Sequence, residues 1–227
     1  MKSARLIVAV ILLLLITFQP GWPQSSTPNA GSMKWEPDIK AFEDGDRVHP
    51  PPQGGVLFVG SSSIRLWTTL AEDFPQAPTI RRGFGGCELA DVLFYADQII
   101  LPYKPRTVCV YAGDNDLANG KEPEQVLESL KQLVKKIHES LPDTKFVYIA
   151  IKPSPSRWHL VEKIRLVNEG AKNLSLPDGK VSFADIFTPM LGGDGTPRKE
   201  LFVEDNLHLN QQGYALWRDI LKPFIEQ

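Results

Sequence analysis

Short apolar runs alternate with helix-patterned segments along most of the chain. Four runs are rich in β-branched and aromatic residues, which is typical of parallel strands buried on both faces: VLFV from Val56, TVCVYA from Thr107, KFVYIAI from Lys145 and KVSFADI from Lys180. A weaker fifth run, APTIRR from Ala77, lies between the first two. We therefore expect a sheet of about five strands.

The segments between these runs have apolar residues at spacings of three and four, which predicts helices. Pro123 suits the first turn of the longest one, PEQVLESLKQLVKKIHES. Helices are expected over residues 64–72, 89–100, 124–140, about 160–174 and 211–225, and a short amphipathic helix in WEPDIKAFEDGDRV is expected to pack outside the sheet. The alternation predicts βαβ units, so residues 31–227 should form one α/β domain with helices on both faces of a parallel sheet.

The first 30 residues have the pattern of an export signal and a polar linker. Lys2 and Arg5 precede an apolar stretch from Leu6 to Phe18, and a segment rich in Pro, Gly and Ser follows. The stretch has 13 residues, whereas a membrane-spanning helix needs about 20. We predict an exported protein, periplasmic or secreted, with no membrane span in its mature form. An uncleaved N-terminal anchor is the alternative, because no clear pair of small residues marks a cleavage site.

Composition excludes some classes of partner. The chain has 227 residues, of which 42% are hydrophobic and 23% charged, as in ordinary globular proteins. A net charge of −2 and the lack of a basic run argue against a nucleic-acid partner. A domain of this size does not need disulfides, so Cys87 and Cys109 are expected to be free thiols, with a disulfide between them as the alternative. The sequence makes no prediction of the oligomeric state.

Polar residues follow the expected strands at their carboxyl ends, where open parallel sheets bind ligands. GSSS follows the first strand, GFGGCE the weak one and GDND the third, while EDNLHLN comes after the last. Asp205 stands three residues before His208, so one helical turn or a tight loop can place its carboxylate beside the imidazole. Histidine titrates near neutral pH, which suits it to general-base work.

Acyl transfer needs a nucleophile, a base, a carboxylate that orients the base, and donors for an oxyanion. Each motif alone also has a structural explanation: a helix cap for the serines, a loop for the glycines, a side-chain turn for GDND. Their coincidence at four strand ends favours a catalytic set. It does not by itself choose among Ser61, Ser62 and Ser63.

From about Trp35 onwards the chain resembles the SGNH or GDSL-type esterases and lipases. Four blocks of that family match FVGSSSIRLW, RGFGGCELADVL, YAGDNDL and DNLHLNQQGY. The resemblance implies a three-layer α/β/α sandwich of the flavodoxin-like type. It implies a triad and an oxyanion hole with these members: Ser62, Asp205 and His208 for the triad, and the N–H groups of Ser62 and Gly86 with the Asn115 amide for the hole.

Two positions depart from the family pattern. Ser61 stands where the family often has Asp, so a hydroxyl would have to replace the support that the carboxylate gives to neighbouring loops. Arg81 or Arg82 stands where an Asn often precedes the glycine block, which changes how that loop is anchored. Neither position is catalytic in the family, so the implied activity is unaffected.

The expected function is serine ester hydrolysis without a metal or cofactor, because the histidines and cysteines have no zinc-ligand spacing. Short-chain or carbohydrate O-acetyl esters, as small molecules or on polysaccharides, are the expected substrates. The alternatives are a lysophospholipase or thioesterase of the same family, or a non-catalytic cell-envelope binding module. In KPSPSRW, Arg157 and Trp158 are candidate substrate-binding residues, and a solvated Arg and a packing Trp are the other interpretation.

Overall fold

The computed structural model describes residues 32–175 and 179–226, and the predicted signal peptide lies outside these ranges. All five predicted strands form, and they pair in parallel in one sheet of order β2-β1-β3-β4-β5. The strands are β1 Val56–Gly60, β2 Thr79–Gly83, β3 Thr107–Tyr111, β4 Lys145–Ile149 and β5 Val181–Ala184. The predicted α/β fold with a parallel sheet is therefore confirmed.

Nine α-helices lie within the described ranges. They are α1 Glu36–Val48, α2 Ser62–Arg65, α3 Leu70–Asp73, α4 Leu89–Phe94, α5 Ala96–Ile99, α6 Asp114–Ala118, α7 Pro123–Ser140, α8 Val161–Asn173 and α9 Gln211–Ile225. Short 3-10 turns cover Ser32–Trp35, Leu101–Tyr103, Pro155–Leu160, Thr188–Met190 and Lys199–Leu201. No helix in these parts of the chain is long and apolar enough to span a membrane.

Two predicted helices are each divided in the structure. The expected helix over residues 64–72 becomes α2 and α3, because Trp67 turns into the core and donates its Nε1–H to the Asp73 carboxylate at 2.7 Å. The expected helix over 89–100 breaks at the buried Tyr95, which separates α4 from α5. In both places, burial of one aromatic side chain overrides the helical spacing.

The strand order places the helices in two layers. Parallel crossovers are right-handed, so the α2–α3 segment, which leads from β1 outward to β2, lies on one face, and α4, α7 and α8 lie on the other. On the first face Trp67 packs against Phe58 of β1 and Trp217 of α9, with ring centroids 5.7 and 6.0 Å apart. On the second face α7 contacts both α4 and α8.

Three strand ends meet at one edge of the sheet. The N–H of Ser61 donates to the carbonyl of Tyr111, and the N–H of Phe84 donates to the carbonyl of Gly60, both at 2.9 Å. The residues that follow β1, β2 and β3 therefore begin side by side. This register brings the serine, glycine and GDND segments to a common rim.

Helix α1 is held against β2, an outer strand of the sheet, by the buried Arg82. Its Nη2 lies 2.5 Å from an oxygen of Asp46, and its Nε donates to the hydroxyl of Tyr103 at 2.8 Å. The guanidinium also lies over the ring of Phe42, 5.1 Å from the centroid. Arg82, one of the two arginines that stand where the family often has Asn, thus anchors α1 beside the glycine loop.

Candidate active site

Three side chains form a continuous hydrogen-bonded chain at the rim. His208 Nε2 lies 2.9 Å from the hydroxyl of Ser62, and His208 Nδ1 lies 2.5 Å from Oδ2 of Asp205. A carboxylate only accepts hydrogen bonds, so the ring proton is assigned to Nδ1. Nε2 of the neutral ring is then free to accept the Ser62 proton.

The side chain of Asp205 stabilises the loop in which it lies. Oδ1 accepts the backbone N–H groups of Leu207 and His208 at 2.8 and 2.9 Å, which closes a tight side-chain turn. Desolvation acts to raise the pKa of Asp205, but the hydrogen bonds from His208 and Leu207 outweigh it and lower this pKa to about 2. The carboxylate therefore stays ionised at any pH near neutrality.

Ser62 is the first residue of α2, directly after the strand-to-helix turn. Gly60 makes this turn with a φ of 142°, and a Cβ there would stand 1.9 Å from the carbonyl oxygen of Tyr111. Ser61 is the N-cap residue, but its buried hydroxyl has no hydrogen-bond partner in the described residues. The expected replacement of the family's aspartate by this hydroxyl is therefore not seen.

The glycine loop and the GDND segment face Ser62 across the rim. Gly86 has a φ of 83°, which favours glycine, and a Cβ there would lie 3.3 Å from the ring of Trp35. Asn115 lies in the first turn of α6 and donates from Nδ2 to the carbonyl of Cys87 at 2.9 Å. Ser62, Gly86 and Asn115 all border one cleft.

This cleft has a volume of about 460 Å³ and opens to solvent. Its other lining residues are Trp35, Asp38, Arg65, Gly85, Arg157, Leu207 and His208. Arg157, one of the two candidate substrate-binding residues, thus lines the cleft. Trp158 is half-buried and packs against the hydrophobic core. The contribution of Trp35 and Asp38, at the start of α1, was missed because the sequence predicted only that this helix packs outside the sheet.

A buried polar cluster behind the cleft was also missed in the sequence. The ammonium of Lys152, almost fully buried, lies 3.0 Å from Oδ2 of Asp114 and 2.9 Å from the hydroxyl of Tyr111. Burial would raise the pKa of Asp114, but the charges of Lys152 and Arg157 hold it below its ordinary value. Desolvation lowers the pKa of Lys152, and Asp114 opposes that shift. The available signal was a lysine that directly follows the apolar run of β4.

Asp116, the second aspartate of GDND, holds the start of α4. Its carboxylate accepts the N–H of Leu89 at 3.1 Å and lies 3.1 Å from the ammonium of Lys121. Desolvation raises the pKa of Asp116 to about 6, although Lys121 acts in the opposite direction. This side chain therefore connects the GDND turn to the end of the glycine loop.

Both cysteines are free and buried, which confirms the expectation of free thiols. Cys87 belongs to the glycine loop, but burial and four nearby carboxylates raise the pKa of its thiol well above the usual value. Burial likewise raises the pKa of Cys109. A thiol is a nucleophile only as the thiolate, so neither cysteine competes with Ser62 for that role.

The described residues contain no group of three or more His, Cys, Asp or Glu side chains arranged to hold a metal ion. Of the four histidines, His49 and His159 are exposed on the surface, and Nε2 of His138 lies 3.0 Å from the carbonyl of Thr144. His208 is the histidine that contacts both a carboxylate and a serine.

Comparison with known protein families gives a match over most of the chain. The profile of the GDSL-like lipase/acylhydrolase family matches residues 55–216. The chain belongs to this family. The match extends from the residue before β1 into α9, so it covers the sheet and all four rim segments of this GDSL-like hydrolase. No curated protein matches the sequence.

Solved structures share the fold of this GDSL-like hydrolase. A GDSL-like lipase from Bacteroides thetaiotaomicron aligns with a TM-score of 0.71 and 19% identity, over 83% of this chain and 97% of that one. A variant of an acetyl-xylooligosaccharide esterase from Geobacillus stearmophilus aligns with a TM-score of 0.63 and 13% identity, over 78% and 96%. A lipase/acylhydrolase from Enterococcus faecalis aligns with a TM-score of 0.61 and 20% identity, over 75% of this chain and 94% of that one.

Proposed function

We propose that this protein is a serine carboxylic ester hydrolase in which Ser62 is the nucleophile, His208 the general base and Asp205 the residue that orients the base. The observation that carries this proposal is the pair of contacts made by one imidazole ring. Nε2 lies 2.9 Å from Ser62 Oγ while Nδ1 lies 2.5 Å from Asp205. This is the geometry by which a histidine can remove a serine proton and remain correctly oriented.

The reaction has two acyl-transfer steps. In the first, the Ser62 hydroxyl gives its proton to His208 Nε2 as Oγ bonds to the ester carbonyl carbon. The tetrahedral adduct then collapses, and the alcohol leaves with the proton returned by His208. In the second step, His208 takes a proton from water as the water attacks the acyl-enzyme. Collapse releases the carboxylic acid and restores the Ser62 hydroxyl.

The developing oxyanion is stabilised by the backbone N–H groups of Ser62 and Gly86 and by the side-chain amide of Asn115. These three residues border the same cleft, which supports the assignment. Donors fixed before the reaction stabilise the transition state without reorganising. Asn115→Ala should therefore reduce kcat by about 10²- to 10³-fold, the usual effect of losing one such donor.

Short-chain or carbohydrate O-acetyl esters are the substrates we propose. The cleft is open and its lining is mostly polar or charged, with Trp35 and Leu207 as its larger apolar side chains, which suits a small acyl group on a polar alcohol. The fold is shared with an acetyl-xylooligosaccharide esterase, although at 13% identity. Activity on lysophospholipids or thioesters is the alternative that a substrate panel tests.

The test of the nucleophile compares three neighbouring serines. Ser62→Ala should abolish hydrolysis of nitrophenyl acetate and labelling by a fluorophosphonate probe. Ser61→Ala and Ser63→Ala are the matched controls and should keep measurable activity, because neither hydroxyl contacts His208. If Ser61→Ala or Ser63→Ala were the inactive variant, the assigned register would be wrong by one residue.

The test of the substrate is a panel of nitrophenyl esters from acetate to palmitate, together with acetylated polysaccharides. We expect the highest kcat/KM with acetate and measurable release of acetate from the polysaccharides. Preference for long acyl chains would favour a lipase or lysophospholipase. No turnover of any ester and no labelling of Ser62 would favour a non-catalytic binding module.

We also propose that the protein is exported, on the basis of the basic and apolar pattern that ends at Phe18. Cell fractionation of the natural host should find the protein outside the cytoplasm. N-terminal sequencing of the purified protein then separates a cleaved signal peptide from a retained anchor.

A further inference from the structure

The orientation of the Asn115 amide is fixed from both ends. Oδ1 accepts a hydrogen bond from Arg157 Nη2 at 2.9 Å, and Nδ2 donates to the carbonyl of Cys87 at 2.9 Å. A guanidinium can only donate and a carbonyl can only accept, so a flipped amide would lose both contacts. Of the two Nδ2 protons, one is used by Cys87 and the other remains for the cleft.

Arg157 is held in place by the carboxylate next to Asn115 in the sequence. Its Nη1 lies 3.0 Å from Oδ2 of Asp114, an ion-pair contact in which the N–H is not aligned for a hydrogen bond. The Arg157 side chain is 17% exposed and that of Asp114 only 5%. Both arms of the guanidinium therefore face residues of α6, and its charge is opposed by a buried carboxylate.

The contacts continue behind the cleft to the segment that carries the nucleophile. Oδ2 of Asp114 also receives the ammonium of Lys152 at 3.0 Å, and this ammonium donates to the hydroxyl of Ser63 at 3.3 Å. Ser63 directly follows Ser62. A buried series of charged and polar contacts thus joins the Asn115 amide to the nucleophile helix.

We propose that Arg157 is a positioning residue that fixes the Asn115 amide with one N–H directed at the oxyanion, and that the Asp114–Lys152 pair holds Arg157 in this position. The proposal rests on the proposed function, in which Asn115 is an oxyanion donor. In this role Arg157 does not bind the substrate through its charge. Both arms of its guanidinium already contact protein groups, Asn115 and Asp114.

A double-mutant cycle with nitrophenyl acetate tests this role. Arg157→Gln should lower kcat by about tenfold or more and change KM by less than about threefold, since an interaction made only in the transition state acts on kcat. In the Asn115→Ala background the same change should alter kcat by less than about twofold, because the amide it positions is gone. Equal losses in both backgrounds, or a rise in KM as the main effect, would overturn the proposal.

Two further variants test whether a loss of kcat comes merely from removing an arginine or from removing a positive charge. Arg165→Gln, at an exposed position of α8 where Arg165 forms an ion pair with Glu162, is the matched control and should leave kcat and KM unchanged. Arg157→Lys retains a positive charge but lacks the planar guanidinium that contacts Asn115 and Asp114 from separate nitrogens, so kcat should be intermediate. If Arg157→Gln does not fold, Arg157→Lys takes its place in the cycle, with the same expected loss of effect beside Asn115→Ala.

A measurement that needs no turnover separates this proposal from the proposed function. In ¹⁵N-labelled protein, the side-chain amide signals of Asn115 are identified by their absence from Asn115→Ala. Arg157→Gln, or Arg157→Lys in its place, should shift these signals and speed their exchange with solvent, while Arg165→Gln should not. Unchanged Asn115 signals would show that Arg157 does not position the amide, whether or not the protein hydrolyses an ester.

Discussion

At the scale of single residues, the strand-to-helix turn before Ser62 depends on Gly60. Its φ of 142° is one that residues with a Cβ rarely adopt, and an added Cβ would meet the Tyr111 carbonyl at 1.9 Å. The register of β1 and β3 leaves no room for this atom, because Gly60 pairs directly with Tyr111. Gly60→Ala should therefore reduce the free energy of unfolding by about 3 kcal/mol or more, from backbone strain and overpacking together.

Comparing the urea unfolding of Gly60→Ala with that of Gly120→Ala separates the cost of backbone strain from the cost of overpacking. Gly120 also has a positive φ, 90°, but no atom lies within 4 Å of its added Cβ. Gly120→Ala should cost only the backbone strain, about 1 kcal/mol. Equal losses for the two variants would show that the close approach to Tyr111 does not constrain the turn.

At the scale of elements, the buried Asp116 carboxylate connects α6 to the first residue of α4 and responds to pH. Burial raises its pKa to about 6 in the folded protein, whereas an unfolded aspartate titrates near 3.9. The folded state then binds the proton more tightly. The stabilisation from this group is fully present below about pH 4 and is lost as the pH rises through 6.

Asp116→Asn should remove this pH dependence. Between pH 4 and pH 7 the free energy of unfolding of the unmodified protein should fall by about 2 kcal/mol relative to that of Asp116→Asn, because the full shift corresponds to about 3 kcal/mol and the unfolded aspartate is already half ionised at pH 4. Urea titrations at several pH values measure it, and groups that titrate in both proteins cancel. Parallel pH profiles would contradict the raised pKa of Asp116.

The elements themselves show what the sequence could predict. The long amphipathic helix α7 and the buried strands form as expected, because their patterns reflect burial of whole faces. The division between α2 and α3 could not be predicted, since it depends on Trp67 reaching Trp217, a residue 150 positions later. The spacing of apolar residues indicates which side of a helix is buried, but it does not indicate which distant aromatic ring packs against that side.

At the scale of the whole molecule, the segments that form the rim could be predicted from the sequence, but the buried polar cluster behind the cleft could not. Parallel strands place their carboxyl ends at one edge, so the serine cluster, the GDND segment and the Asp205–His208 pair could be grouped from strand positions, while the choice of Ser62 among three serines came from the family resemblance. The buried cluster of Asp114, Lys152 and Arg157 needed the strand order and the depth of each side chain. A lysine after a strand is usually solvated, and only the structure shows that Lys152 is enclosed.

The docking of α1 is a whole-molecule feature because it joins this helix to β2, an outer strand of the sheet. It depends on the ion pair of Arg82 and Asp46, whose side chains are 11% and 24% exposed. Asp46→Asn would leave the Arg82 guanidinium buried without a full counter-charge. Removing one partner of a buried pair typically costs about 3–5 kcal/mol, and the partial exposure of Asp46 places the expected loss at the lower end.

Asp44→Asn is the matched control on the same helix. Asp44 pairs with Lys40 and Arg47, but its side chain is 49% exposed, so solvent screens both pairs. This change should cost less than about 0.5 kcal/mol in urea unfolding. Because α1 also carries Asp38 to the cleft, Asp46→Asn should raise KM for a bulky acetylated substrate more than Asp44→Asn does. If the two variants were equally stable, Arg82 would not be what holds α1 against the sheet, and the apolar face of α1 would have to hold it alone.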